Sequence, residues 1–117
     1  MAPDHVLVIV SVDPEASHRA NEAIRIALGI IAGENDVTIA LLGAAVKILD
    51  PDVEEYVDGE DIAKHVATLR KLGQSFYVER DAGPAARQAA PDGLALVPFT
   101  RDELPGLIAK SNRVLVF

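Results

Sequence analysis

The first apolar stretch of the chain, Val6–Val12, is rich in β-branched residues and shows no alternation of polar and apolar positions. A strand buried on both faces reads this way, as in parallel sheets covered by helices. Asp13-Pro14 follows, an N-cap residue type and then proline, the preferred start of a helix. From Glu15 to Ala32 the small and apolar residues Ala16, Ala20, Ala23, Ala27, Ile30 and Ile31 fall on one helical stripe, with His18, Glu22 and Arg25 opposite. Gly33 is the predicted stop. Val37–Leu42 reads as a second buried strand ending at Gly43, and Ala44–Leu49 as a short helix broken by Asp50-Pro51. Residues 50–61 are dense in carboxylates, which predicts a solvated, mobile loop. Ile62, Val66 and Leu69 mark the apolar stripe of a helix over Glu60–Leu72, capped by Gly73.

The second half repeats the alternation. Ser75–Val78 and Leu94–Val97 predict a third and a fourth strand, separated by a loop over 82–93 with one helical turn at Ala85–Ala89. Thr100 and Glu103 have capping-box spacing for a helix running to Lys110, but Pro105 would delete a hydrogen bond near its start, so the helix begins later. Arg113–Phe117 is the fifth strand. Buried strands separated by amphipathic helices predict an α/β fold: a three-layer α/β/α arrangement on a five-stranded, mainly parallel sheet. No repeat, linker or low-complexity tract interrupts the 117 residues, so a single domain over 1–117 is expected.

Composition narrows the function classes. There is no cysteine, which removes disulfides, thiolate metal sites and cysteine nucleophiles. The formal charge is −7, with 18 acidic against 11 basic residues, and aromatic side chains are limited to three Phe and two Tyr. Such a surface repels phosphate backbones and offers little for bases to stack on, so nucleic-acid binding is disfavoured. The N-terminal segment has Asp4 and no basic residue ahead of a short apolar run, unlike a signal peptide or a membrane span, and a cytoplasmic location is the expectation. Half of the residues are apolar, which suits a sheet covered on both faces and leaves surface for a subunit contact.

Candidate chemistry gathers at one predicted strand end. Glu79, Arg80 and Asp81 lie at the carboxyl end of the third strand, where open α/β sheets bind ligands. Read as structure, they are a strand end with a solvated salt bridge. Read as a site, Arg80 holds an anion and a carboxylate acts as acid or base. His18, near the start of the first helix, shares that edge and is the fourth ligand-binding candidate, against the reading of an exposed helix histidine. Asp13 is accounted for by capping, and His65 by a local contact with Asp61 one turn earlier. His5, His18 and His65 have no ligand spacing, so no metal is expected. Neither G-x-G-x-x-G nor G-x-x-x-x-G-K-[ST] occurs, and no nucleophile elbow, so no cofactor is implied.

Three stretches in order, "ANEAIRIALGIIAGENDVTIALLGAAVKIL", "EDIAKHVATLRKLGQSFYV" and "SNRVLVF", resemble the DsrE/DsrF-like family of sulfur-relay proteins. The resemblance runs from Val6 to Phe117 and rests on the ordered set, since no piece of it is a catalytic signature. It implies a small three-layer protein that forms dimers, trimers or hexamers. It also implies a persulfide-carrying cysteine in the loop after the strand matching Ser75–Val78. That cysteine would fall near Glu79, where the chain reads Glu-Arg-Asp. A carboxylate cannot replace a soft sulfur nucleophile, and no other cysteine exists, so cysteine-persulfide sulfur transfer is excluded.

The sequence therefore points to a non-catalytic member of that family: an oligomeric subunit, or a module binding a small ligand or a protein partner. The alternative is an enzyme acting on a small anionic substrate at the carboxyl edge of the sheet. A cleft converging on the candidate side chains favours the enzyme, and a flat apolar surface favours assembly.

Overall fold

The computed structural model describes residues 4–80, 82 and 95–117. Five strands, β1 (His5–Val10), β2 (Asp36–Leu41), β3 (Phe76–Glu79), β4 (Leu96–Phe99) and β5 (Arg113–Val116), form one sheet in the order β4-β3-β2-β1-β5. All four pairings are parallel, with Val8 opposite Ile39 on one side and Leu115 on the other. The unalternating apolar run is explained by position, because β1 lies inside the sheet, paired on both edges, and Leu7, Val8 and Val10 are fully buried. Successive residues serve opposite faces. Val6, Val8, Val10, Ile39, Leu41, Phe76 and Val78 belong to one core, while Leu7, Ile9, Ala40, Leu42 and Phe99 belong to the other.

Helices α1 (Arg19–Ala32) and α2 (Gly59–Lys71) pack side by side on the first face, burying Ala20, Ala23, Ile24 and Ala27 from α1 and Ile62, Val66 and Leu69 from α2. The small side chains of α1 let it lie close to the sheet. Helix α3 (Leu104–Ala109) covers part of the second face through Leu104 and Leu107, beside the tilted Tyr77–Phe99 ring pair. The expected α/β arrangement with helices on both faces is therefore present, and the strands lie within two residues of their expected bounds. Residues 83–93 of the expected loop and Leu94 of the fourth strand lie outside the described residues. Pro98 sits in β4, an edge strand, where a missing N–H is tolerated.

Several local expectations are corrected. Asp13-Pro14 does not open α1: the helix starts at Arg19, and Asp13 Oδ1 instead accepts the Glu15 N–H at 2.9 Å within a separate turn. The signature is shared between the two structures, since an Asp side chain caps a turn as readily as a helix. Residues 50–61 are no free loop. Val53 is buried, Val53–Glu55 makes a 3-10 turn, and the Val57 N–H reaches the Pro14 carbonyl at 3.1 Å. Gly59 opens α2 against that turn, where an added Cβ would fall on the Val53 carbonyl oxygen. As Pro105 foretold, a 3-10 turn at Arg101–Glu103 precedes α3, and Pro105 sits in its first turn.

Both long helices end in the same hydrogen-bonded device. After α2, the Gly73 N–H reaches Arg70 O and the Gln74 N–H reaches Leu69 O, with Gly73 at φ +77°. After α1, the Glu34 N–H reaches Ile31 O and the Asn35 N–H reaches Ile30 O, but the left-handed position, at φ 67°, is Glu34 and not the expected Gly33. A side chain there is strained. Glu34→Gly is expected to stabilise the fold by about 0.5–1 kcal/mol, read from urea unfolding; a loss of stability would contradict this account of the helix end.

Candidate functional site

Parallel pairing sends the carboxyl ends of all five strands to one edge, and the segments that follow them meet there. Gly43, directly after β2, has φ +52° and opens the 3-10 turn Gly43–Leu49. That conformation aims its N–H at Glu79 on the neighbouring strand, where Oε1 accepts at 2.8 Å. Arg101, directly after β4, closes on the same carboxylate from the other side, with Nε donating to Oε2 at 2.6 Å and Nη2 to Oε1 at 3.3 Å. The Glu79 side chain is 14% exposed and Arg101 62%. The guanidinium holds the Glu79 carboxyl below its ordinary pKa, with help from the Gly43 amide and against the effect of burial. Glu79 thus clamps the ends of β2, β3 and β4 together.

Of the other candidates, His18 is placed apart from this clamp. Arg80 is exposed, and its backbone N–H donates to Phe99 O at 2.9 Å, continuing the β3–β4 ladder. Asp81 lies outside the described residues. The His18 ring places Nδ1 2.8 Å from Asp58 Oδ2, at the start of α2, and shares no hydrogen bond with Glu79. Asp58 itself is left-handed, at φ 54°. His65 meets Asn21 of α1 at 3.1 Å instead of its helix neighbour Asp61, and His5 meets Thr38 at 2.9 Å. Among the described residues, no group of three or more His, Asp or Glu side chains could hold a metal ion.

Sequence reasoning missed a second polar cluster on this edge. Lys47, in the turn after β2, reaches Glu15 Oε2 at 2.5 Å and Asp13 Oδ2 at 3.4 Å, both in the turn after β1. The Glu15 hydrogen bond foremost raises the lysine pKa; burial opposes it, and Asp13 adds to the rise. Tyr56 donates its hydroxyl to Asp50 Oδ2 at 2.8 Å. That bond, reinforced by burial, pushes the phenol up to about 12. Arg101 was missed as well. Each of these partners is more than 20 residues away in sequence except Asp50, whose six-residue spacing to Tyr56 fits no helical contact rule. A cleft of about 230 Å³ lies nearby between the Gly43–Leu49 turn and α2, walled by Ile48, Leu49, Val53 and Val66; none of the described candidates Glu79, Arg80 and His18 lines it. Among the described residues, the edge thus holds Glu79, Lys47 and Tyr56 in fixed pairs with neighbouring groups.

Two measurements follow from these pairs. Glu79→Gln should cost about 1–2 kcal/mol at pH 7, because a half-buried clamp loses its charge. Since the folded carboxyl titrates below its ordinary 4.5, the gap between wild type and variant should be full above that pH. It should close as the pH falls through the lowered folded value. Stabilisation by Glu79→Gln would instead mark a strained ligand site. In a Tyr77→Phe background, absorbance titration should show Tyr56 ionising near pH 12, and Asp50→Asn should return it toward 10. Ionisation of the parent at its ordinary value would refute the Tyr56–Asp50 contact.

Comparison with known proteins agrees with this architecture. The profile of the DsrE/DsrF-like family matches residues 4–117. No curated protein matches the chain in sequence. Among solved structures, the chain is similar to the crystal structure of the YchN protein from E. coli, with a TM-score of 0.75 and 19% identity over 100% of both chains. At that identity the likeness concerns the fold. With a five-stranded parallel sheet, helices on both faces and a family match across 4–117, the chain belongs to the DsrE/DsrF-like family.

Proposed function

We propose that this chain is a non-catalytic DsrE/DsrF-like protein, cytoplasmic, acting as a subunit of a homo-oligomer or as a module that binds a small ligand or a protein partner. The observation that carries the reading is chemical. Sulfur relay needs a thiolate to accept and pass on sulfane sulfur, and the chain has no cysteine. Near the position where the family resemblance would put that thiol stands Glu79, whose carboxylate is consumed by Gly43 and Arg101. Its geometry supports a structural part for Glu79; a small anionic ligand at this edge would be held by the Arg80 cation, with Asp81 and His18 as the further candidates. No helix among the described residues is long and apolar enough to cross a membrane.

The test is incubation with a persulfide donor followed by intact-mass measurement. The expected result is the unmodified chain of 12.4 kDa. A stable gain of one sulfur mass on the purified protein would defeat the reading.

A further inference from the structure

Helix α1 carries more apolar surface than the core uses. Its flank toward α2 is marked by the Asn21–His65 contact, and its flank toward β5 by Arg19, which donates to Val116 O at 3.4 Å and lies over the Phe117 ring. Seven and eleven residues after Arg19, Ile26 and Ile30 repeat along that second flank by helical spacing. Both stay only partly buried. Together with Val6 and Leu115 of the sheet they border a groove of about 470 Å³ whose lining also includes Asp4 and Arg113. No described helix lies over β5 on this face. A helix apolar on both its core stripe and an adjoining flank is the pattern of a helix with a second packing partner.

Charge decides which partner. The chain carries −7, so a second copy is repelled by most of its surface. The groove is an exception: its lining has one acid and one base, and it is formally neutral. Asp4 and Arg113 are 50% and 74% exposed and stand 3.7 Å apart, a loose pair open to exchange. In a two-fold contact a residue pair is met twice, so Asp4 of each copy can face Arg113 of the other. A basic partner would be drawn instead to the carboxylate-rich segment 50–61.

We infer that the groove between α1 and β5 is the surface on which a second copy of this chain docks, through a two-fold contact that seats Ile26 and Ile30 against the partner and exchanges the Asp4–Arg113 pair. This rests on the homo-oligomer reading above and names its interface.

Light scattering on a sizing column, with folding checked by circular dichroism, tests it on the full chain. Wild type should associate. Ile26→Glu should halve the mass of the assembly. Asp4→Arg and Arg113→Asp, both at exposed positions, should each weaken association by about tenfold or more through like-charge contact. An equimolar mixture of those two variants should regain the wild-type mass, because opposite charges then meet only across the mixed contact. If wild type associates and the variants do so equally well, the groove assignment falls while the oligomer reading stands. Weakened single variants that fail to recover on mixing would overturn the two-fold exchange. A wild-type monomer at high micromolar concentration would remove the oligomer reading and this interface with it.

Discussion

Strand β1 is hydrogen-bonded on both edges and covered on both faces, and the other elements are arranged to make that possible. Its partners β2 and β5 run parallel to it. A parallel neighbour cannot be reached by a tight turn, so each pairing needs a crossover long enough to return the chain to the same end of the sheet. The crossover from β1 to β2 is α1, and that from β2 to β3 contains α2; both step across the sheet in one direction and so share a face. The path from β4 to β5 runs back over the sheet, which puts α3 on the opposite face. Apolar burial on two sides of one strand thus accounts for the layer order.

The same parallel geometry concentrates polar groups at the carboxyl edge, where backbone amides and carbonyls leave the ladders. Here the edge is closed by internal pairs: Glu79 with Gly43 and Arg101, Lys47 with Glu15 and Asp13, Tyr56 with Asp50. Each joins the turn after one strand to a neighbouring turn or strand end, or folds one turn onto itself. No buried side-chain nitrogen or oxygen among the described residues lacks a partner. A polar network satisfied from within fixes the positions of turns that would otherwise be free to move.

How much of this could be read from the residues depended on range. The strands were legible because Val6–Val10, Val37–Leu41 and Phe76–Val78 are apolar in unbroken or nearly unbroken runs, and α2 because Ile62, Val66 and Leu69 keep a helical period. The start of α1 was misplaced because Asp13-Pro14 is a local signal that two different turns satisfy. The strain at Glu34 was invisible, as Gly33 offered a more obvious stop one residue earlier. The site was less legible still. The Glu79–Arg101 contact spans 22 residues, Lys47–Glu15 32 and His18–Asp58 40, and no periodicity of the chain encodes which strand end will lie beside which.

The β1–β5 pairing brings together the two most distant strands of the sheet. The Asn112 side chain accepts the His5 N–H across 107 residues, at the start of that pairing. Closing so long a loop is slow, and sheets built from such contacts fold late in their assembly. During synthesis, β1 can find β2 as soon as α1 has formed, while its other edge stays open until β5 has left the ribosome. For that interval the nascent chain displays an unpaired, strongly apolar strand edge, the kind of surface that chaperones bind and that seeds aggregation. Yield in the cell would then be governed by how long that edge waits as much as by how stable the finished protein is.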